Sequence, residues 1–138
     1  MSKINLNTDL SILLIRFSTA LMFFHGLNKL LNGHDYIKQS LTEKGLPEIL
    51  WIGVPIAEVL APVLLLLGIF TRISGLLVAI VMLFSIYLAH SSDIFTINPD
   101  YGSPAIELNL LYFFAGLALF FSGGGKYALY QPNNKWLK

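Results

Sequence analysis

The sequence contains no cysteine. That excludes disulfides, thiolate metal sites and any dithiol redox relay. Charge is scarce as well. Asp, Glu, Lys and Arg make up 12% of the 138 residues, against roughly 25% in soluble domains. The formal net charge of +1 supplies no basic face for a nucleic acid, so no nucleic-acid partner is expected. Histidine is limited to His25, His34 and His90, scattered without metal-ligand spacing, and no metal centre is expected. No glycine-rich nucleotide fingerprint occurs.

What the chain has is hydrocarbon, with 55% hydrophobic residues. A bilayer core about 30 Å thick needs roughly 20 helical residues. Four apolar stretches, 10–31, 49–70, 73–90 and 105–121, meet or approach that length. The sequence therefore predicts an all-α membrane protein, a single four-helix domain over residues 1–138 with no soluble domain. The first stretch is too long for a signal region and lacks a small-x-small cleavage site, so it is read as retained.

Lys3, Arg72, Lys126, Lys135 and Lys138 fall on one side of these spans, and most loop acids fall on the other. The positive-inside rule then puts both termini in the cytoplasm of a multi-pass membrane protein surrounded by lipid. Trp136 marks the inner boundary, and Trp51 and Tyr87 the outer one. Thr71-Arg72 reads as a very tight turn between spans two and three. In the first outer loop Asp35 reads as a helix N-cap and Gly45 as its stop, with Ile37 and Leu41 on one face. A short amphipathic helix on the outer surface is expected there. The second outer loop, 91–103, is expected to fold over the outer mouth.

Charge within a membrane span is costly, so it pairs, lines a polar cavity or does chemistry. Counted from the outer ends, His25 and Glu58 lie at one depth, and Lys29, Glu107 and His90 at a shallower one. His25, Asn28 and Lys29 share one arc of the first helix, whereas Arg16 points to the opposite face. Pro62 deprives the Glu58 carbonyl of its helical donor, so a carboxylate and a free carbonyl share one level of span two. The candidate site is therefore Glu58 and His25 as a proton relay, with Asn28, Lys29, His90, Glu107 and Arg16 as candidate ligand-binding groups. Plainer roles stand beside these. Glu107, after Ser103-Pro104, complements a helix dipole. Lys29 snorkels to headgroups, His25 packs, and Pro62 only bends its helix.

Taken in order, Arg16, His25-Gly26, Lys29, Glu58, Gly68, Thr71-Arg72, Glu107 and the run Gly123 to Tyr127 resemble the DoxX family of small bacterial membrane proteins. The resemblance covers nearly the whole chain. It departs at the closing segment, where three glycines replace a common Gly-Pro-Gly. It implies a four-helix bundle serving as a subunit or accessory of a membrane redox system, of the kind that includes thiosulfate:quinone oxidoreductase. The cofactor stays open, with a quinone one candidate. Any redox step would use a bound organic cofactor or other redox-complex subunits. The alternative is a non-enzymatic partner protein whose buried charges fix helix register. Its docking stripes would be Ala57-xxx-Ala61 and Gly75-xxx-Ala79. Transport through the cluster ranks last, since Arg16 leaves no continuous polar path.

Overall fold

The computed structural model describes residues 7–130 and 132–134. Lys3, Lys135, Trp136 and Lys138, used above for orientation, lie outside the described residues. Among the described residues, seven α-helical segments form four antiparallel columns. The first column runs through α1 (Thr8–Ala20), α2 (Met22–Asn28), a π-helical turn (Lys29–Gly33) and α3 (His34–Glu43). The second runs through a 3₁₀ turn (Glu48–Ile52), α4 (Gly53–Pro55), a second π-helical turn (Ile56–Leu60) and α5 (Ala61–Leu67). The third is α6 (Thr71–Ala89) and the fourth is α7 (Glu107–Ser122). The runs Thr8–Glu43, Glu48–Leu67 and Thr71–Ala89 are long and apolar enough to cross a membrane. The 16-residue α7 is apolar but shorter.

Each irregularity has a local cause. The Ser18 and Thr19 hydroxyls both donate to the Ile15 carbonyl, at 2.9 and 2.7 Å, just before the break at Leu21. Such back-bonding competes with the helix ladder and bends it. In the second column Pro62 removes an N–H, and the chain widens to a π turn directly before it. There the Ala61 N–H reaches back five residues to the Ile56 carbonyl.

The columns close as a ring. The first packs on the second, the second on α6, α6 on α7 along most of their length, and α7 on α1. The α6–α7 seam is a backbone contact. A Cβ on Gly116 would lie 2.6 Å from the Gly75 carbonyl oxygen. Gly75, Ala79, Ala57 and Ala61 are all buried inside the bundle. The two stripes anticipated as docking faces are therefore internal seams. Outward surfaces carry Phe17, Phe24, Leu83, Leu111 and Phe121, as lipid contact requires.

The two ends differ. At one end α3 lies across the bundle, with Ile37, Ser40 and Leu41 buried beneath it. It is the expected amphipathic helix, but it continues the first column through the π turn and bends at Gly33 (φ −125°, ψ 5°). Its C-terminus closes as a Schellman motif. The Leu46 N–H donates to the Leu41 carbonyl and the Gly45 N–H to the Thr42 carbonyl, each at 2.9 Å, with Gly45 at φ 69°. The 91–106 loop puts no residue on the cavity beneath α3. It forms its own turns, with Phe95 97% exposed, so α3 rather than this loop covers the mouth.

The other end is a knot of backbone carbonyls. The tight turn lies at 68–70, with Gly68 and Phe70 both left-handed (φ 71° and 49°). Thr71 and Arg72 already belong to α6, so the turn sits earlier than expected. Gly123 to Tyr130 folds back beneath the columns. There the Leu129 N–H donates to the Leu67 carbonyl at 3.1 Å, and the Lys126 N–H to Asp9 Oδ1 at 2.8 Å.

Candidate functional site

The deepest acid has found a base. Lys29 Nζ donates to Glu58 Oε1 at 2.7 Å. Glu58 is 1% exposed, and the Lys29 side chain is 36% exposed. Counted by Cα depth alone, Lys29 lies near the rim with Glu107 and His90. The correction comes from side-chain direction. Helical side chains lean toward the N-terminus, so the four-carbon stem of Lys29 carries its ammonium inward. Both partners stand on π turns, Lys29 in the first column and Glu58 in the second. Gly26 makes the approach possible. A Cβ there would lie 2.6 Å from Glu58 Cβ and would overlap the Glu58 carbonyl as well.

The pair uses one carboxylate oxygen. Glu58 Oε2 is buried and accepts no hydrogen bond. Glu58 lines a cavity of about 290 Å³ under α3. The first column contributes Met22, His25 and Lys29, α3 contributes Tyr36, Ile37 and Ser40, and the second column Val54 and Glu58. The remaining walls come from α6 and α7 and are largely apolar, with Val81, Met82, Leu88, His90 and Leu108 among them.

Of the residues singled out in the sequence, Glu58, His25, Lys29 and His90 meet at this cavity. Three do not. Asn28 faces outward, where its Oδ1 accepts from Asn32 Nδ2 at 3.0 Å. Glu107 is exposed in the first turn of α7, the dipole-complementing position. Arg16 lies at the opposite end of the bundle.

Arg16 is 1% exposed and donates three hydrogen bonds to backbone carbonyls. Nε reaches Leu65 at 2.8 Å, Nη2 reaches Leu66 at 3.0 Å and Nη1 reaches Gly124 at 3.0 Å. It therefore caps the C-terminus of α5, where the dipole is negative, sharing the Leu65 carbonyl with the Gly68 N–H at 3.1 Å. The same position pins the glycine run to the bundle. Arg72 acts alike on α7, its Nη1 donating to Phe120 and Phe121 carbonyls at 2.5 and 2.8 Å. The partners of Arg16 were invisible in sequence because they are main-chain atoms.

Sequence reasoning missed the α7 wall. Asn109 Nδ2 donates to Ser85 Oγ at 3.2 Å, across the α6–α7 seam and within the cavity lining. Tyr112 follows one turn later and meets His25 edge-on, with ring centroids 6.4 Å apart. An amide and a phenol inside an apolar run were the available signal.

Among protein-family models, the DoxX model matches residues 11–91. The chain belongs to the DoxX family. The DoxX match takes in Arg16, the first column from residue 11 onward, the Glu58 turn and α6, and it ends before α7. The Lys29–Glu58 pair thus lies within the DoxX segment, and Asn109 and Tyr112 lie beyond it. No curated protein and no solved structure matches the chain.

Proposed function

We propose that this DoxX-family chain is a subunit or accessory of a bacterial inner-membrane redox system, and that its cavity holds the head group of a quinone. One observation carries the reading. A lysine–carboxylate pair sits in an apolar cavity with one carboxylate oxygen unpaired. Lys29 has N–H donors beyond the one given to Glu58, suited to a quinone carbonyl. Glu58 Oε2 suits the hydroxyl of the reduced form, so one wall serves both redox states. Glu58 and His25 relay the two protons taken up with two electrons on ring reduction and released on oxidation. Asn109, Ser85 and His90 orient the far edge of the ring. The sequence has no thiol couple, so electrons go to or come from a partner subunit.

In this reading α7 is a fourth span and both termini are cytoplasmic. In the sequence, five basic residues flank the spans on one side (Lys3, Arg72, Lys126, Lys135 and Lys138) against Lys38 and Lys44 in the first outer loop, and that excess supports the orientation. Trp51 and Tyr87 mark an interface at the α3 end, with Lys38 and Lys44 ammonium groups 5.1 and 5.3 Å from their ring centroids. The cavity then lies in the outer half of the membrane.

The test is solvent extraction of protein purified from its native membrane. A quinone is expected in the wild-type extract and depleted in Glu58→Gln and Lys29→Met. A quinone-free wild type, with coupled activity untouched by Glu58→Gln, would overturn the reading. A second reading, a non-catalytic partner protein, is favoured by the loop residues Phe95 and Tyr101, 97% and 82% exposed. It predicts a specific co-purifying protein lost on Phe95→Ser/Tyr101→Ser, with no molecule in the bundle.

A further inference from the structure

We infer that the cavity opens sideways into the bilayer, between α2 and α7, and that its occupant is a membrane-dissolved amphiphile. The head sits in the cavity and a hydrocarbon tail leaves through the gap. This rests on the proposed function only for the chemistry of the head group and for α7 as a span.

Three seams of the ring are closed at cavity depth. The π turn carrying Glu58 packs on both α2 and α6, and α6 packs along α7. The fourth seam differs. The first column meets α7 through α1, at the end far from the cavity, and α2 makes no comparable contact. The residues edging that seam line the cavity and still face outward. His25 on α2 is exposed, and Leu108 on α7 is 49% exposed. A side chain that is both wall and outer surface marks an opening. The edge-on His25–Tyr112 contact spans it. A side-chain rotation there would widen the gap without moving a helix.

The route toward water is covered instead. α3 lies over the cavity with Ile37, Ser40 and Leu41 turned inward, and Tyr36 on the same helix, a lining residue 62% exposed, stands at the edge of this cover. Lys44 Nζ ties its end to Ser91 Oγ at 2.9 Å. Cavity size sets the division of the ligand. At about 290 Å³ it sits near the lower limit of small-molecule sites, which run from about 300 to 1,000 Å³. It accepts a ring-sized polar head, and a long tail must lie outside. Exposed apolar side chains of the first column and α7, including Leu21, Leu111 and Phe114, offer the tail a lipid-like surface.

The absence of native cysteine allows a test that needs no ligand. Ser85→Cys places a thiol in the cavity lining, and Met82→Cys on the same wall serves if the first fails to fold. Leu111→Cys is the lipid-face control and Tyr101→Cys the aqueous control. Each variant is reconstituted in vesicles and treated with an N-alkyl maleimide or a sulfonated maleimide. For the cavity thiol, the alkyl-to-sulfonate rate ratio should match the lipid-face control. It should exceed that of the loop control by about tenfold or more, the enrichment that a few bilayer-buried methylenes confer. Adding His25→Trp should slow alkyl labelling of the cavity thiol and leave Leu111→Cys unchanged. A ratio equal to the loop control would show an aqueous mouth, and labelling by neither reagent a sealed cavity. Either result overturns the lateral opening. Neither bears on whether a quinone is extracted, so the two proposals fail separately.

Discussion

At the residue scale, two basic side chains at opposite ends of the bundle, Arg16 buried and Lys29 partly exposed, do different work. Arg16 satisfies main-chain carbonyls, whereas Lys29 satisfies a carboxylate and leaves half of it free. Charge-assisted hydrogen bonds are worth about 1.5–3 kcal/mol each, and lipid offers no replacement donor. Arg16→Met should therefore lower stability by more than about 3 kcal/mol. It should also free the glycine run to proteolysis, read by denaturant titration in mixed micelles and by limited digestion. The Lys29–Glu58 pair behaves otherwise. Lys29→Met alone strands a buried carboxylate, so the double variant Lys29→Met/Glu58→Leu should be more stable than Lys29→Met. A double variant worse than both singles would show that the pair contributes net stability.

At the scale of elements, the π turns and glycine contacts set the site. Gly26 brings the first column against the Glu58 backbone, so Gly26→Leu should push the columns apart and break the ion pair. Overpacking of this kind costs roughly 1–3 kcal/mol and should abolish any binding that needs Glu58. Gly116→Leu strikes the α6–α7 seam at the Gly75 carbonyl and should cost at least as much stability. Its effect on the cavity should be smaller, because Asn109 and Ser85 lie about two to three turns away along the helices. Comparing thermal midpoints with ligand affinity for the two variants separates packing from site geometry.

These elements also show what could be read in advance. The columns and α3 follow from apolar length, from Gly45 and from the Ile37/Leu41 face, all local signals. Glu58 stands out because an ionised group at that depth is costly, and Pro62 marks the irregular turn beside it. Lys29 is one of three donors, with His25 and Asn28, that the sequence offers Glu58, and Cα depth without side-chain lean does not single it out. The carbonyl partners of Arg16 and the Asn109–Ser85 contact are non-local, and no spacing rule announces them. Gly75 and Ala79 read as an outward stripe because small residues mark close helix approach without saying which helix approaches.

At the scale of the whole molecule, the bundle is tightly closed at the Gly68 end and holds a cavity at the α3 end. The knot around Arg16 gives rigidity where the columns converge, and α3 covers the space where they part. The central claim is that this space binds a quinone head group through Lys29 and Glu58. It is tested most directly by titrating the nanodisc-embedded chain with a short-tailed benzoquinone and, anaerobically, with its hydroquinone. Saturable binding of both to wild type is predicted. Lys29→Met should weaken the quinone form more, and Glu58→Gln the hydroquinone form more. The absence of saturable binding of either form to folded wild-type protein, or affinities unchanged in both variants, would contradict the account.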